Sequence, residues 1–278
     1  MKKALVMALS LTLVLSFAAC GNNSTADSNA SSEEVSSEAS ESTDEASVES
    51  TEETSSEAES SDASDAETVM SYADYVAAEL ESPVVIEAYV QAHQSWWDNK
   101  ITVYAADEDG AYFIYNMTCS EEDSAKLVPG TKIKVTGYKT EWSGEVEIAE
   151  GATFEIEDGS YIAEATDVTD LLGTDDLINY QNQFVSFKGM TVEESEGGAA
   201  FLYNWDGSGS ADSNSDLYFN VSLNGQTYTF TVESYLCDNT TDVYKTVEGL
   251  KVGDVIDMEG FLYWYNGVNP HITNVTVK

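Results

Sequence analysis

Hydrophobic and polar positions alternate most clearly over residues 132–135, where Ile133 and Val135 face one way and Lys132 and Lys134 the other. That is the two-residue period of a half-buried strand. The stretch belongs to a longer pattern that occurs twice. Residues 127–138 (LVPGTKIKVTGY) align without gaps on residues 250–261 (LKVGDVIDMEGF), and Trp142-Ser143-Gly144 falls on Tyr265-Asn266-Gly267. Each copy reads as a glycine turn, an alternating strand, a second glycine, an aromatic strand end, another glycine turn and a final strand. Such a repeat predicts two similar domains, 67–165 and 166–278, rather than one large one.

Similar elements precede the shared segment in both copies. In the first, residues 72–80 have helical spacing, and residues 83–92 and 100–106 read as strands joined by a turn holding Trp96, Trp97, Asp98 and Asn99. Asp107-Glu108-Asp109-Gly110 is a hairpin signal, residues 111–117 read as a third strand, and residues 119–126 as a short helix before the turn at Gly130. The second copy predicts a helix near 174–181, strands at 184–192 and 199–205, a polar insertion at 206–215, and strands at 216–222 and 226–233 around the turn Asn224-Gly225. Residues 237–248 lead through a helix to the repeated strand pair.

Three meandering strands, a short helix and two more strands is the order of an OB-fold, a five-stranded, partly open barrel. The endings GTKIKVTGYKTEWSGEVEI and GDVIDMEGFLYWYNGVNPHI resemble those of small bacterial OB-fold domains, over roughly residues 70–165 and 168–278. The fold class expected is all-β: two tandem five-stranded OB-like barrels, each with short helices, after a disordered acidic linker. Another small β-barrel or sandwich is the rival, because glycine at bends is common to many β-folds.

The N-terminal pattern is of a different kind. Met1-Lys2-Lys3 precedes an uncharged run at residues 4–19, shorter than the roughly 20 apolar residues of a membrane span. A basic tip, an apolar run and small residues before a cleavage point read as a secretory signal. Phe17-Ala18-Ala19-Cys20-Gly21 resembles the lipobox of bacterial lipoproteins, with Phe17 where the family prefers an aliphatic residue. The resemblance implies that residues 1–19 are removed, that the Cys20 thiol carries diacylglycerol, and that a further acyl chain such as palmitate secures the anchor. Residues 21–66 contain 14 Asp or Glu, 15 Ser and no Lys or Arg. Too little apolar surface is present there to offset the entropy of ordering, and the like charges repel. Residues 20–66 are therefore expected to be a lipidated, disordered tether that holds the barrels off the membrane on the extracytoplasmic face, through a Gram-positive wall.

Charge and cysteine usage then narrow the partners. The chain has 11 basic and 51 acidic residues, and all the basic ones are lysine. Removing Lys2 and Lys3 with the signal leaves 9 − 51 = −42, of which the tether holds −14 and residues 67–278 hold −28. Nucleic-acid surfaces need basic stripes, usually with arginine, so the charge argues for no nucleic-acid partner. Cys119 and Cys237 fall at similar places in the two repeats. Equivalent points on two domains are seldom within disulfide reach, so two free buried thiols are expected, with a disulfide as the alternative.

Catalysis finds no motif. His93 and His271 are the only histidines; both read as ordinary surface residues, and neither GxSxG nor HExxH occurs. The expectation is a protein that is not an enzyme. Aromatic residues are more informative, because the loops between strands 1 and 2 and between strands 4 and 5 flank the ligand face of an OB-fold. Trp96 and Trp97 fall on the first such loop, Trp142 on the second, and Tyr263, Trp264 and Tyr265 on its counterpart in the second repeat. These six are the candidate ligand-binding residues; the alternative is that they plug the barrel ends. Cofactors are expected to be absent. Calcium stays open through Asp206, Asp212 and Asp216, although Leu217 and Leu223 stand where an EF-hand loop needs glycine and glutamate. Asp107 and Asp109 form a still weaker pair. The function expected is a membrane-anchored binding or interaction module at the cell surface, with an extracellular protein or glycan as partner. A carbohydrate- or solute-binding lipoprotein and a calcium-dependent adhesion or enzyme-accessory domain are the alternatives.

Overall fold

A computed structural model describes residues 68–278; the segments expected to be a signal and a tether, with Cys20, lie outside the described residues. The first barrel is built from β1 (Pro83–His93), β2 (Lys100–Ala106), β3 (Ala111–Thr118), β4 (Thr131–Trp142) and β5 (Glu145–Ile148). Antiparallel pairs β1–β2, β2–β3, β4–β5 and β1–β4 and the parallel pair β3–β5 close it in the order β1-β2-β3-β5-β4. Closure removes the sheet edges that would otherwise expose unpaired backbone. Alternate residues fill the interior: Val84, Ile86, Ala88 and Val90 from β1, Ile101, Val103 and Ala105 from β2, Ile133 and Val135 from β4. β6 (Thr153–Ser160) was not expected from the sequence; it pairs with β4 outside the barrel.

α1 (Tyr72–Ala77) starts at Ser71, whose Oγ accepts from Asp74 N at 3.2 Å in a capping box. The helix stops earlier than its sequence spacing predicts. Its last carbonyls are taken by a buried lysine: Lys139 Nζ donates to the oxygens of Tyr75, Val76 and Ala78 at 3.0, 2.8 and 2.9 Å. A cation at a helix C-terminus complements the helix dipole. Tyr75 packs into the barrel core beside Tyr72 and Tyr112. α2 (Glu121–Ser124) spans the gap between β3 and β4.

The second barrel repeats the plan. It uses β8 (Phe184–Glu193), β10 (Leu217–Leu223), β11 (Gln226–Val232), β12 (Val255–Phe261) and β13 (His271–Val277), with β7 (Thr166–Asp167) and β9 (Leu202–Tyr203) as two-residue additions. β11–β13 is the parallel pair, and β8 closes on both β10 and β12. α3 (Asp242–Glu248) occupies the place of α2 and buries Val243, Tyr244 and Val247. Two closed five-stranded barrels with few short helices confirm the fold class. One element is corrected: the strand expected at 199–205 is only β9, because Asn204 turns the chain with φ 55° into the insertion. The helix expected near 174–181 is the 3-10 segment Asp175–Tyr180.

The repeated glycines have a common cause. A Cβ at Gly137 would lie 2.7 Å from Ile148 Cγ2 and 2.9 Å from Ala152 Cβ; one at Gly260 would collide with the His271 backbone and lie 2.7 Å from Ile272 Cα. In both barrels the final strand crosses close over the fourth at this point, which only glycine permits.

Candidate functional site

β2 and β3 of the first barrel bury apolar residues on their outer face as well as on their inner one. Tyr104 and Phe113 are cross-strand partners on that face, and both are buried, with Phe261, in a separate cluster that takes in Phe184, Leu236 and Tyr263 from the second barrel. Tyr104 stacks on Phe261 at 4.4 Å, Phe113 meets Tyr263 at 5.2 Å, and Tyr263 stacks on His271 at 4.3 Å. The Tyr104 hydroxyl and His271 Nδ1 share a 2.6 Å hydrogen bond. His271 is therefore not a surface residue, as the sequence suggested. Burial pushes it down to about 3, so the ring is neutral at physiological pH.

Polar groups fix the same seam. Glu145 is fully buried; its Oε2 accepts from Trp264 N at 2.8 Å and Gln181 Nε2 at 3.2 Å, and its Oε1 has no partner among the described residues. Desolvation raises this carboxyl to about 9, so it is protonated at neutral pH. Gln181 Nε2 also donates to Gly144 O, and Asn182 Nδ2 to Val146 O. The two equivalent β-turns touch directly: Asn266 N donates to Ser143 O at 2.7 Å. These two residues occupy the same repeat position and both have positive φ, 53° and 52°.

Beyond the seam the outer face of β3 stays open. Tyr115, two residues after Phe113, is exposed. It lines two clefts that share Gln94. One, of about 500 Å³, adds Ser95, Trp97, Asn116 and Tyr235; the other, of about 420 Å³, adds Phe113, Trp142, Glu147, Tyr263 and His271. Trp97 and Trp142 expose 53% and 59% of their surface, and Lys100 Nζ lies over the Trp97 ring, 5.5 Å from its centroid. The groove floor is tied to the second barrel, since Gln94 Nε2 donates to Glu233 Oε2 and Ser95 N to Tyr235 O. Burial raises Glu147 and Glu233 each to about 7. Trp97 lies in the β1–β2 turn, Tyr115 on β3 and Trp142 at the end of β4 where it enters the β4–β5 turn, the regions that form the ligand face of an OB barrel.

The six aromatic candidates thus divide. Trp97 and Trp142 line the groove. Trp96 packs on the first core with its Nε1 donating to Cys119 O at 2.9 Å. Tyr263 serves both seam and groove wall, Trp264 packs on the second core, and Tyr265 is exposed outside both clefts. Tyr115 was not among the candidates, because a single tyrosine in a strand carries no loop signal. With the strand at 199–205 reduced to β9, Trp205 falls on the connection between the first two long strands of the second barrel and is exposed.

Among the calcium candidates, Asp206 Oδ1 accepts from Ser208 N in a local turn and Asp216 Oδ1 accepts from Ser234 N, 18 residues on; Asp212 is exposed. Asp107 likewise accepts from Asp109 N, Gly110 N and the Tyr112 hydroxyl. Among the described residues no group of three or more His, Cys, Asp or Glu could hold a metal ion. His93 is half-buried at the end of β1, its Nδ1 2.7 Å from Gln94 O. Cys119 and Cys237 are free and buried, and burial pushes their thiols up to about 11 and about 12.

No protein-family model matches the sequence, and no curated protein matches it. Solved structures similar to the chain include a murine DNA-binding protein bound with double-stranded DNA, 11% identical over 71% of this chain and 96% of that one, with a TM-score of 0.34. An Ifi202 HINa domain in complex with a 20-base-pair double-stranded DNA is 14% identical over 72% and 96%, with a TM-score of 0.31. The tetrameric p202 HIN2 is 12% identical over 72% and 96%, also at 0.31. Two of these hold double-stranded DNA, which corrects the exclusion of nucleic acid drawn from charge. A summed charge reports the average of a surface, whereas recognition is decided by the local face that meets the ligand. The exclusion is withdrawn; the likeness itself is one of fold and assigns no ligand to this chain.

Proposed function

We propose that this chain is a lipoprotein of the outer face of a bacterial membrane, held by Cys20, whose acidic tether carries two OB-like barrels and whose inter-barrel groove binds a saccharide without catalysis. The observation that carries the ligand is the placement of Trp97, Tyr115 and Trp142 on the three elements of one OB ligand face, exposed and interleaved with Gln94, Asn116 and Glu147. Concave sites of this make-up, apolar walls with a few convergent polar groups, are the ordinary form of small-ligand sites. Flat aromatic rings cover the apolar faces of pyranose rings, and the amide and carboxyl groups hydrogen-bond the hydroxyls. OB barrels use this face for oligosaccharides and oligonucleotides.

A glycan array probed with the full chain tests the ligand. Wild type is expected to bind a defined set of saccharides, and Trp142→Ala and Trp97→Ala to lose them while keeping the wild-type melting temperature. Absence of saccharide binding, equal binding by the variants, or an oligonucleotide held by the same rings in place of sugar overturns this assignment. Metabolic labelling with an alkyne fatty acid tests the anchor: label on wild type and none on Cys20→Ala is expected, and label on both refutes it.

A further inference from the structure

Glu147 is the one carboxyl set into the walls of the open groove. It is 94% buried (6% exposed), yet it lines the cleft formed by Phe113, Tyr115, Trp142, Tyr263 and His271. Desolvation alone perturbs it, in contrast to Glu145, which accepts from a backbone amide and a side-chain amide. No lysine lines either cleft. Lys139, on the neighbouring strand, spends its ammonium on three carbonyls at the end of α1. The other titratable groups around Glu147 are Glu145 two residues back on β5, Tyr75 on α1, Tyr115 on β3, and Tyr263 and His271 from the second barrel; none of them supplies a positive charge, since His271 is neutral.

A carboxylate surrounded by aromatic faces and given no cation by its own protein is complementary to an organic cation. The ring faces carry negative quadrupoles that attract an ammonium group, the more strongly when it is desolvated. A buried carboxylate without a partner is unfavourable and takes up a proton instead; an ammonium brought by the ligand would replace that proton. The excess of acid over base in the chain also concentrates cations at its surface.

Resting on the saccharide reading above, we infer that the groove selects amino sugars, with the free ammonium of a de-N-acetylated residue seated against Glu147 between Tyr115, Trp142 and Tyr263. The neutral acetamido form of the same sugar stacks on the same rings but leaves Glu147 without its counter-ion.

Titration calorimetry on the full chain near neutral pH separates this from its rivals, using a glucosamine hexamer, an N-acetylglucosamine hexamer and spermine. The glucosamine hexamer is expected to bind at least about tenfold more tightly than the acetylated one, and more tightly than spermine, which has the charge without the rings. Glu147→Gln, a neutral isostere, is expected to abolish the preference of the glucosamine hexamer over the acetylated one. Equal affinity for the two hexamers, or a preference that survives Glu147→Gln, overturns the amino-sugar inference while the saccharide reading stands. Spermine binding as tightly as the glucosamine hexamer overturns it through the wild type alone, should the variant not fold. Failure of both hexamers to bind overturns the inference and the saccharide reading together.

Discussion

The two barrels share a strand order, a pair of glycines at the crossing of their last strands and a positive-φ turn at Ser143 and Asn266, yet they use their aromatic residues in opposite ways. In the first barrel the ligand face is half covered: Tyr104 and Phe113 lie under the second barrel, and Tyr115 lies open beside Trp97 and Trp142. In the second barrel the residues that follow the conserved glycine are spent on assembly, Phe261 and Tyr263 against the first barrel and Trp264 on its own core. The plan occurs twice, and the second copy supplies part of the wall and floor of the candidate groove on the first. A groove at the junction of two barrels, rather than on either alone, is the result.

The barrels' crossing glycines give the largest contrast. Gly260→Ala is expected to lose about 3 kcal/mol or more of stability, because the intruding Cβ meets the His271 and Ile272 backbone, and Gly137→Ala about 2 kcal/mol, because it meets Ile148 Cγ2, which can shift, and Ala152 Cβ, which cannot rotate. Denaturant unfolding of the two variants measures the difference; equal losses would remove the asymmetry. The tryptophans come next. Trp264→Ala is expected to lose about 2 kcal/mol through its half-buried ring, whereas Trp97→Ala and Trp142→Ala stay within about 0.5 kcal/mol of wild type and lose ligand instead.

The seam itself should respond to pH. Glu145 has its folded-state pKa raised to about 9, and Glu147 and Glu233 theirs to about 7. Between the ordinary carboxyl range near 4.5 and these values the three carboxyls bind more protons in the folded state than in the unfolded state, so the stability they contribute is fully present at low pH and falls as pH rises, while the buried neutral His271 opposes them by a single proton below about pH 6.5. A melting temperature that declines from about pH 5 to about pH 9 is expected, with a shallower decline in Glu145→Gln; a flat profile in wild type contradicts the buried, protonated seam. The smallest effect concerns the thiols. Cys119 and Cys237, one in each barrel, should resist a thiol reagent at pH 8 in the folded protein and react only on unfolding.

Much of the fold was legible because the strand period and the glycine turns are local. The alternation around Ile133 and Ile256, the turn at Asn224-Gly225 and the gap-free repeat of residues 127–138 and 250–261 carry the barrel plan without tertiary information. The misread strand at 199–205 has the same origin: its apolar residues satisfy the period, and only the turn at Asn204 ends the pairing after two residues. The candidate site was half legible. Trp97 and Trp142 were found by loop position, whereas Tyr115 was missed, and His271 and Tyr263 lie at the barrel seam, which no single repeat specifies.

By itself the sequence determined that two closed β-barrels form, where their strands and crossings fall, and which residues on each are aromatic, because backbone period and glycine geometry are properties of short segments. Only the tertiary structure decided which aromatic rings are free. Phe113 and Tyr115 stand two residues apart on one face of one strand, with the same pattern and nearly the same chemistry. One is buried and the other open because the second barrel, held by Glu145, Gln181, Asn182 and the turn at Asn266, ends its cover between them.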